Sequence, residues 1–279
     1  MDIKSELKPA GILFFHEIFR ENAVCMSHRT GIPILRNVDI VQGQRIKLII
    51  FGAHIKVEEL ITLYEKHFPN VEYVILQTEQ LESRFFNGGR YVHLLSLDSN
   101  KIYDWSCRNM AYLHVSYGID FEGIFDYEFP QISENNMKPF HEREIDLFFL
   151  GSLNNYRINI LNKIKETFSY LNIEIISFSK ENEQYQNAKV LTEKLLNVKY
   201  VLNIPFYPNS ALETHRINKA LSCGCQVISQ LSADTKLNNE YKIFIYLRKD
   251  IIKGIYNAMQ MEAPPKKKYV QSHNIILSF

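Results

Sequence analysis

Two short segments in the second half of the chain carry the polar residues expected of a phosphate-binding site. Each follows an apolar run of strand length, Ile145–Leu150 for the first and Tyr200–Ile204 for the second. In open α/β sheets, ligands bind at the carboxyl ends of the parallel strands. We therefore expect a phosphate there, contacted by backbone or side-chain donors of Gly151, Ser152, Asn154, Asn209 and Ser210.

Two arginines and a glutamate beside these segments have the charge to bind the rest of a nucleotide. Arg157 and Arg216 can each bind a diphosphate through two hydrogen bonds, because a guanidinium is planar and always charged. Glu213 can accept hydrogen bonds from ribose hydroxyls. Each has a structural alternative. Arg157 can be a solvated first-turn residue, and Glu213 can be the capping-box partner of Ser210 or the ion-pair partner of Arg216.

Aromatic side chains offer a further kind of contact to such a ligand. Phe178 and Tyr207 each follow a predicted strand, where the ring can stack on a base or a sugar. Aromatic residues make up 13% of the chain, so packing in the core is the competing interpretation for both.

Composition limits the classes of protein to which this chain can belong. Its 279 residues are 46% hydrophobic and 23% charged, which indicates a globular protein with a sizeable core. The net charge of +1 argues against a nucleic acid partner. We expect no transmembrane segment, and the charged N-terminal segment lacks a signal-peptide core, which favours a cytoplasmic protein with its four cysteines reduced.

Apolar runs alternate with helical spacing in both halves, which predicts two parallel sheets covered by helices. Residues 22–44 contain glycine and proline punctuation and are expected to be irregular. A helix is expected to begin at Ser210. Residues 130–144 are polar and hold two prolines, which is typical of a linker. We therefore expect domains at 1–135 and 145–262, followed by a tail at 263–279 that can pack back on the first domain.

The segments DLFFLGSLNNYR (Asp146 to Arg157) and LNIPFYPNSALETHRINKALSCGCQVIS (Leu202 to Ser229) resemble nucleotide-sugar glycosyltransferases of the GT-B fold. They are most similar to the subgroup of spore-coat CgeB-like and related "glycosyl transferases group 1" proteins. That subgroup pairs a strand–Gly-Ser-Leu–Arg segment with a strand–Asn–loop–Glu-Thr-x-Arg–helix–Cys-Gly segment. The first half agrees more weakly, through TEQL (Thr78 to Leu81) and DWSCRNMAYL (Asp104 to Leu113).

The resemblance implies an α/β protein with two Rossmann-like domains facing each other across a cleft. It places the nucleotide-sugar donor mainly on the C-terminal domain and the glycan acceptor on the N-terminal domain. It also implies a reaction without a bound metal or cofactor, with a UDP- or GDP-sugar as the expected donor.

The chain departs from the resembling family at one position. Retaining members carry a glutamate immediately before the Ala-x-x-Cys-Gly segment, where this chain has Lys219. We therefore expect an inverting transfer, which needs a general base on the acceptor side. Glu79 and Asp104 rank first because they lie in the resembling segments, and His16, Glu17 and His54 follow. A structural hydrogen bond or a surface charge is the alternative for each.

The favoured hypothesis is a hexosyl- or pentosyltransferase of glycan biosynthesis, which moves a sugar from a nucleoside diphosphate to a hydroxyl of a glycan or glycoconjugate. The alternative is a nucleotide-sugar-binding module without catalysis. An NAD-dependent oxidoreductase is disfavoured, because no G-x-G-x-x-G follows a strand with an acidic residue about 20 positions further on.

Overall fold

The computed structural model describes residues 9–36 and 45–260. They fall into two compact units, of which the first ends at Glu128 and the second begins at Phe129. Each unit is an α/β structure built on a five-stranded parallel sheet, as expected of Rossmann-like domains. The predicted tail at 263–279 lies outside the described residues, as do residues 37–44 of the region expected to be irregular.

The first unit has its strands in sequential order, β1-β2-β3-β4-β5. These are β1 (Pro9–Phe14), β2 (Ile46–Phe51), β3 (Val71–Gln77), β4 (Lys101–Asp104) and β5 (Gly123–Ile124). The α-helices are α1 (Arg20–Thr30), α2 (Val57–His67), α3 (Arg84–Asn87), α4 (Arg90–Leu95) and α5 (Cys107–Tyr117). β2 and β3 are buried along their whole length, so the apolar runs in the sequence become the centre of this sheet.

A short extended segment around Ile34 adds a parallel bridge to Ile12 of β1. The N–H of Ile12 donates to Pro33 O and its carbonyl accepts from the N–H of Leu35. Both groups of one residue point to the same side of a strand, so this segment lies on the edge of β1 opposite β2. After β1 the chain first forms this segment on one side of β1 and then forms β2 on the other side. The boundary between β1 and β2 is therefore a topological switch point.

Helix α1 corrects the expectation that residues 22–44 are irregular, which is wrong for 22–30. The helix buries Asn22, Ala23 and Met26, and the Asn22 amide donates to Glu128 O at 2.7 Å. Because a polar residue occupies part of the buried face, the sequence shows no clear apolar stripe. The helix ends at Gly31, whose left-handed φ of 73° is the C-cap conformation that glycine favours.

The second unit has the strand order β10-β9-β8-β6-β7. Its strands are β6 (Ile145–Gly151), β7 (Ile173–Ser177), β8 (Val198–Asn203), β9 (Gln226–Gln230) and β10 (Tyr246–Arg248). Its α-helices are α6 (Asn155–Thr167), α7 (Ala188–Leu195), α8 (Thr214–Ser222), α9 (Thr235–Tyr241) and α10 (Ile251–Gln260). This is the flavodoxin-like order, whose direction reverses between β6 and β8.

The predicted capping box at Ser210 is wrong. Helix α8 begins at Thr214 with Glu213 at its N-cap, and the Glu213 side chain caps no helical N–H. The hydroxyl of Ser210 donates to Tyr207 O at 2.9 Å, inside the turn that precedes the helix. The start of the helix is displaced because the Glu213 carboxylate is bound by other partners, described below.

Residues 130–144, expected to be a linker, pack on the second unit. The N–H of Ile132 donates to Ser222 O at 3.3 Å. Arg143 is buried and donates to Val198 O at 2.7 Å and to Cys223 O at 3.2 Å. The segment is therefore attached to the end of α8 and the start of β8.

Two further features concern the described residues as a whole. The four cysteines are free thiols, of which Cys223 and Cys225 are buried. No helix in the described ranges combines the length and the apolar character that crossing a bilayer requires.

Candidate functional site

The phosphate-binding residues predicted from the sequence meet at the switch point of the second unit. Gly151 ends β6, and Asn203 ends β8, the neighbouring strand. The loop after β6 leads into α6, and the longer loop after β8 leads into α8. In a sheet of this strand order, ligands bind in the crevice at the carboxyl ends of the two strands that flank the switch point.

Arg157 is buried beneath this crevice, on the first turn of α6. Its side chain is 3% exposed. The guanidinium donates to Ile204 O from Nε at 2.9 Å and from Nη2 at 2.7 Å, and to Ser152 O from Nη1 at 2.9 Å. It also lies 2.6 Å from Glu213 Oε1. Four protein contacts engage the group, so Arg157 fastens the two loops together.

Glu213 joins both arginines. Its Oε1 accepts from Arg157 Nη2 and from the N–H of Phe206 at 2.9 Å, while its Oε2 lies 2.5 Å from Arg216 Nη1. Both carboxylate oxygens are therefore occupied by the protein itself. This arrangement favours the ion-pair interpretation of Glu213 and leaves little capacity to accept from a ribose.

Arg216 is the more accessible of the two arginines. Its Nε donates to Leu150 O at 3.1 Å and its Nη1 donates to Asn203 Oδ1 at 2.9 Å. Among the described residues its Nη2 has no hydrogen-bond acceptor. The side chain is 18% exposed. Arg216 therefore offers one charged NH2 group, Nη2, beside Gly151 at the carboxyl end of β6.

Gly151 leaves room for the two guanidinium groups. A Cβ at this position would lie 2.9 Å from Arg216 Nη2 and 3.2 Å from Arg157 Nη1. Phe149, on the same strand, lies under both arginines, with its ring centroid 5.3 Å from Arg157 Cζ and 5.4 Å from Arg216 Cζ. The glycine is required here by close approach of side chains.

The charge of Arg157 survives its burial. Burial lowers the pKa of this guanidinium to about 10, and neighbouring Arg216 acts in the same direction. The Glu213 carboxylate opposes both effects. A group with a pKa near 10 is protonated at neutral pH, so the cluster holds two positive charges and one carboxylate.

The remaining predicted donor-site residues surround this cluster. Asn154 caps α6, accepting from the N–H of Arg157 at 2.9 Å and donating to Phe206 O at 2.7 Å. Ser152 and Asn209 are exposed, whereas Ser210 is buried and bonded within its own turn. The rings of Phe178 and Tyr207 are half-buried at the ends of β7 and of the β8 loop. Neither ring belongs to the fully buried core.

A row of titratable side chains follows the strands of the first unit. His16, His54, Glu79 and Asp104 lie at or just beyond the carboxyl ends of β1, β2, β3 and β4. Because these strands are neighbours in the sheet, these four of the five predicted base candidates lie along one edge. They differ in burial and in hydrogen bonding.

Asp104 is fully buried and held by three donors. Its carboxylate accepts from Gln77 Nε2 at 2.7 Å, from the N–H of Ser106 at 2.8 Å and from Asn109 Nδ2 at 3.3 Å. Gln77 also donates to Glu79 O at 2.9 Å. These bonds fix the loop that carries Glu79, which favours the structural alternative for Asp104.

Glu79 and His54 form the accessible pair of this row. Glu79 Oε1 lies 3.8 Å from His54 Nε2, and Thr78 Oγ1 lies 3.3 Å from His54 Nδ1. Burial raises the pKa of the Glu79 carboxyl, against the opposing effects of Ser83 and Arg84. Burial, reinforced by His16, lowers the pKa of His54 to about 4. At neutral pH His54 is therefore an uncharged neighbour of the carboxyl group.

His16, the third predicted base, caps the short helix that follows β1. Its Nδ1 accepts from the N–H of Ile18 at 3.1 Å. That bond fixes the orientation of the ring. Glu17, beside it, forms an exposed ion pair with Arg20 at 2.6 Å.

Sequence reasoning did not include Asn203 and Ser229 in the site. Asn203 orients Arg216 and in turn donates to Ser229 Oγ at 2.9 Å. Both are buried polar residues near the carboxyl ends of their strands, Asn203 in the last position of β8 and Ser229 in the last but one of β9. That position is the signal that was available. Lys219, in the position of the family glutamate, donates to Thr192 Oγ1 at 2.7 Å.

No group of three or more His, Cys, Asp or Glu side chains within the described ranges is arranged to bind a metal ion. In comparisons with known proteins, no protein-family model matches this chain, and no curated protein matches it significantly.

Proposed function

We propose that the protein is a glycosyltransferase that moves a sugar from a nucleoside diphosphate to a hydroxyl of a glycan. The observation that carries the proposal is the cluster of Arg157, Glu213 and Arg216 at the switch point of the second unit. An oriented guanidinium beside a glycine at that position suits the diphosphate of a donor. In this proposal the second unit binds the donor and the first unit binds the acceptor, as in the GT-B fold.

The proposed reaction is a single displacement at the anomeric carbon. The acceptor oxygen forms a bond to that carbon while the bond to the diphosphate oxygen breaks, and the electron pair remains on the leaving diphosphate. Arg216 stabilises the charge that develops there, which is worth most in the transition state. Glu79 takes the proton of the acceptor hydroxyl, because its raised pKa makes it a stronger base than an ordinary carboxylate.

Glu213 acts as a positioning residue in this proposal. It fixes Arg216 on one side and is itself fixed by Arg157 and the N–H of Phe206 on the other. A guanidinium held this way needs no reorientation when the leaving group becomes charged.

Thermal shift measurements with uridine, guanosine, adenosine, cytidine and thymidine diphosphates test donor binding. A ligand that binds only the native state raises the melting temperature, and we expect this with at least one of them, in the presence or absence of EDTA. Arg216→Ala should reduce the shift. If none of the five changes the melting temperature, the proposal fails.

Hydrolysis of the matching nucleotide sugars distinguishes the transferase from its alternative. A transferase without acceptor is expected to release free sugar slowly. Binding of a nucleoside diphosphate with neither hydrolysis nor transfer to any glycan would instead support the non-catalytic binding module.

A further inference from the structure

The first unit contains an open pocket of about 530 Å³ to which the sequence assigned no role. It lies between the segment after β2, residues 54–59, and the segment around α3 and α4, residues 84–91. Pockets that bind small molecules have volumes of roughly 300–1,000 Å³, so this one can hold a ligand of one or two sugar rings. All of its lining residues belong to the first unit.

Ion pairs neutralise most of the charge in this pocket. Arg90 binds Glu58 through Nε at 2.8 Å and Nη2 at 2.5 Å, and Lys56 lies 2.5 Å from Glu59. Arg84 has no ion-pair partner among the described residues, and its Cζ lies 5.2 Å from the centroid of the Phe85 ring. The charge of Arg84 also acts on the nearby Glu79 carboxyl, whose pKa it lowers. The lining therefore presents one positive charge without a direct ion pair among the described residues, on an exposed guanidinium.

Aromatic rings form the wall beside Arg84. The ring of Phe85 packs on His54 with a centroid distance of 5.1 Å, and His54 also contacts Tyr91 at 6.0 Å. His54 adds no charge to the pocket at neutral pH, because burial lowers its pKa to about 4. Rings of this kind provide apolar contact for the C–H groups of a sugar.

The same wall connects the pocket with Glu79. His54 lines the pocket, and its Nε2 lies 3.8 Å from Glu79 Oε1. A ligand in contact with His54 is therefore separated from the proposed base by the His54 side chain alone. An acceptor requires such proximity, since its hydroxyl must pass a proton to that base.

We propose that this pocket binds the glycan acceptor through an acidic sugar whose carboxylate or phosphate pairs with Arg84. A guanidinium binds either anion through two parallel hydrogen bonds, whereas a neutral sugar leaves the charge uncompensated. Calling the bound glycan the acceptor rests on the proposed function. Binding of an acidic sugar at Arg84 stands or falls without it.

Saturation-transfer NMR with the full-length protein tests the proposal. The probes are methyl β-D-glucuronide, glucose 6-phosphate and methyl β-D-glucoside. We expect at least one acidic probe to bind more tightly than the neutral glucoside, and the stronger of the two identifies the anion. Arg84→Gln should weaken that binding by about tenfold, the usual effect of losing a charge-assisted hydrogen bond.

Arg20→Gln is the matched control, because Arg20 is also exposed and lies 5.3 Å from a phenylalanine ring, that of Phe14. It should leave sugar binding unchanged. The proposal is overturned if the acidic probes do not bind, bind no better than the glucoside, or bind equally to Arg84→Gln. A thermal shift with nucleoside diphosphate on the same samples separates this failure from failure of the proposed function.

Discussion

Arg216 makes three hydrogen-bonding or ionic contacts and packs on one aromatic ring. Its Nη2 group takes part in none of the three polar contacts. Leu150 O, Asn203 Oδ1 and Glu213 Oε2 bind its Nε and Nη1. Such restraint lowers the entropy that a flexible arginine would lose on binding a phosphate. The residue is therefore suited to bind an anion in one defined orientation.

Replacing Arg216 separates a catalytic role from a structural one. If Arg216 contacts the leaving group, Arg216→Ala should lower kcat/KM by about 10²-fold or more, or about 3 kcal/mol. Arg216→Lys should restore only part, because an ammonium lacks the planar fork. Steady-state kinetics beside a melting curve checks this. Near-normal turnover with a small loss of stability would remove Arg216 from the reaction.

Replacing Glu213 separates positioning from ribose binding. Glu213→Gln should lower kcat/KM by about tenfold, because one charge-assisted bond to Arg216 is lost. The readout that decides is the preference for a nucleoside diphosphate over its 2′-deoxy counterpart, measured as a ratio of dissociation constants. A positioning residue leaves this ratio unchanged in the variant. Loss of the preference in Glu213→Gln would instead show that the carboxylate binds the ribose.

His54 makes the first unit sensitive to acid. Its folded pKa of about 4 lies below its ordinary value of 6.5, so the unfolded chain takes up the proton first. The unfolding free energy therefore falls as pH drops from about 6.5 towards 4. Between pH 6.5 and 4.5 the wild type should lose roughly 2 kcal/mol more than His54→Gln.

Urea unfolding followed by the emission of Trp105 measures this effect, since the single tryptophan is buried in the first unit. Glu79, with its raised pKa, contributes in the opposite direction, because its stabilising effect declines as pH rises. That contribution is present in both proteins. Equal acid sensitivity of wild type and His54→Gln would contradict the assignment of the shift to His54.

At the scale of elements, the segment before β6 depends on one buried arginine. Arg143 donates to Val198 O, Cys223 O and, at 3.2 Å, Lys138 O. Gly224 has a φ of 70°, and a Cβ there would lie 3.0 Å from Arg143 Nη2. The turn between α8 and β9 is therefore built around this guanidinium.

Removing Arg143 should destabilise the second unit. Arg143→Ala leaves buried carbonyl groups without a donor, and we expect a loss of roughly 2–3 kcal/mol in unfolding free energy. Lys138→Ala is the control in the same segment, since its ion pair with Glu144 is exposed and worth at most about 1 kcal/mol. Urea unfolding followed by circular dichroism compares the two. Similar losses in both variants would disprove the anchoring role.

At the scale of the molecule, each sheet has its own switch point, between β1 and β2 in the first unit and between β6 and β8 in the second. The residues at the two edges differ in charge. The second edge offers one buried and one half-buried arginine, whereas the first offers a carboxyl group and imidazoles. This difference in charge supports the proposed assignment of the anionic donor to the second unit and of the general base to the first.

Hydrogen–deuterium exchange tests the division between the units. A saturating nucleoside diphosphate should protect amides in residues 151–157 and 203–216, because these segments surround Arg216. Peptides covering residues 54–59 and 79–91 should exchange as in the free protein. Protection confined to the first unit would reverse the proposed assignment of donor and acceptor.

The sequence by itself determined the elements whose burial is continuous or periodic. The runs that become β2, β3, β6 and β8 are mostly apolar, and α2 buries apolar residues along one face. The spacing of such residues reports burial directly, so it predicts these elements without knowledge of their neighbours. It also identified Gly151, Arg157, Glu213 and Arg216 as residues of interest.

Only the tertiary structure decided what those residues do. The sequence offered two partners for Glu213, Ser210 and Arg216, each three positions away, and it did not choose between them. The fold gives the carboxylate to Arg216 and to Arg157, which is 56 positions away in the sequence. The fold likewise buries Asp104, whose carboxylate accepts from Gln77, Ser106 and Asn109, and leaves Glu79 more accessible. The order of the strands and the positions of the loops determine which groups come close enough to a buried polar group to bond to it. These are long-range properties, to which local spacing carries no signal.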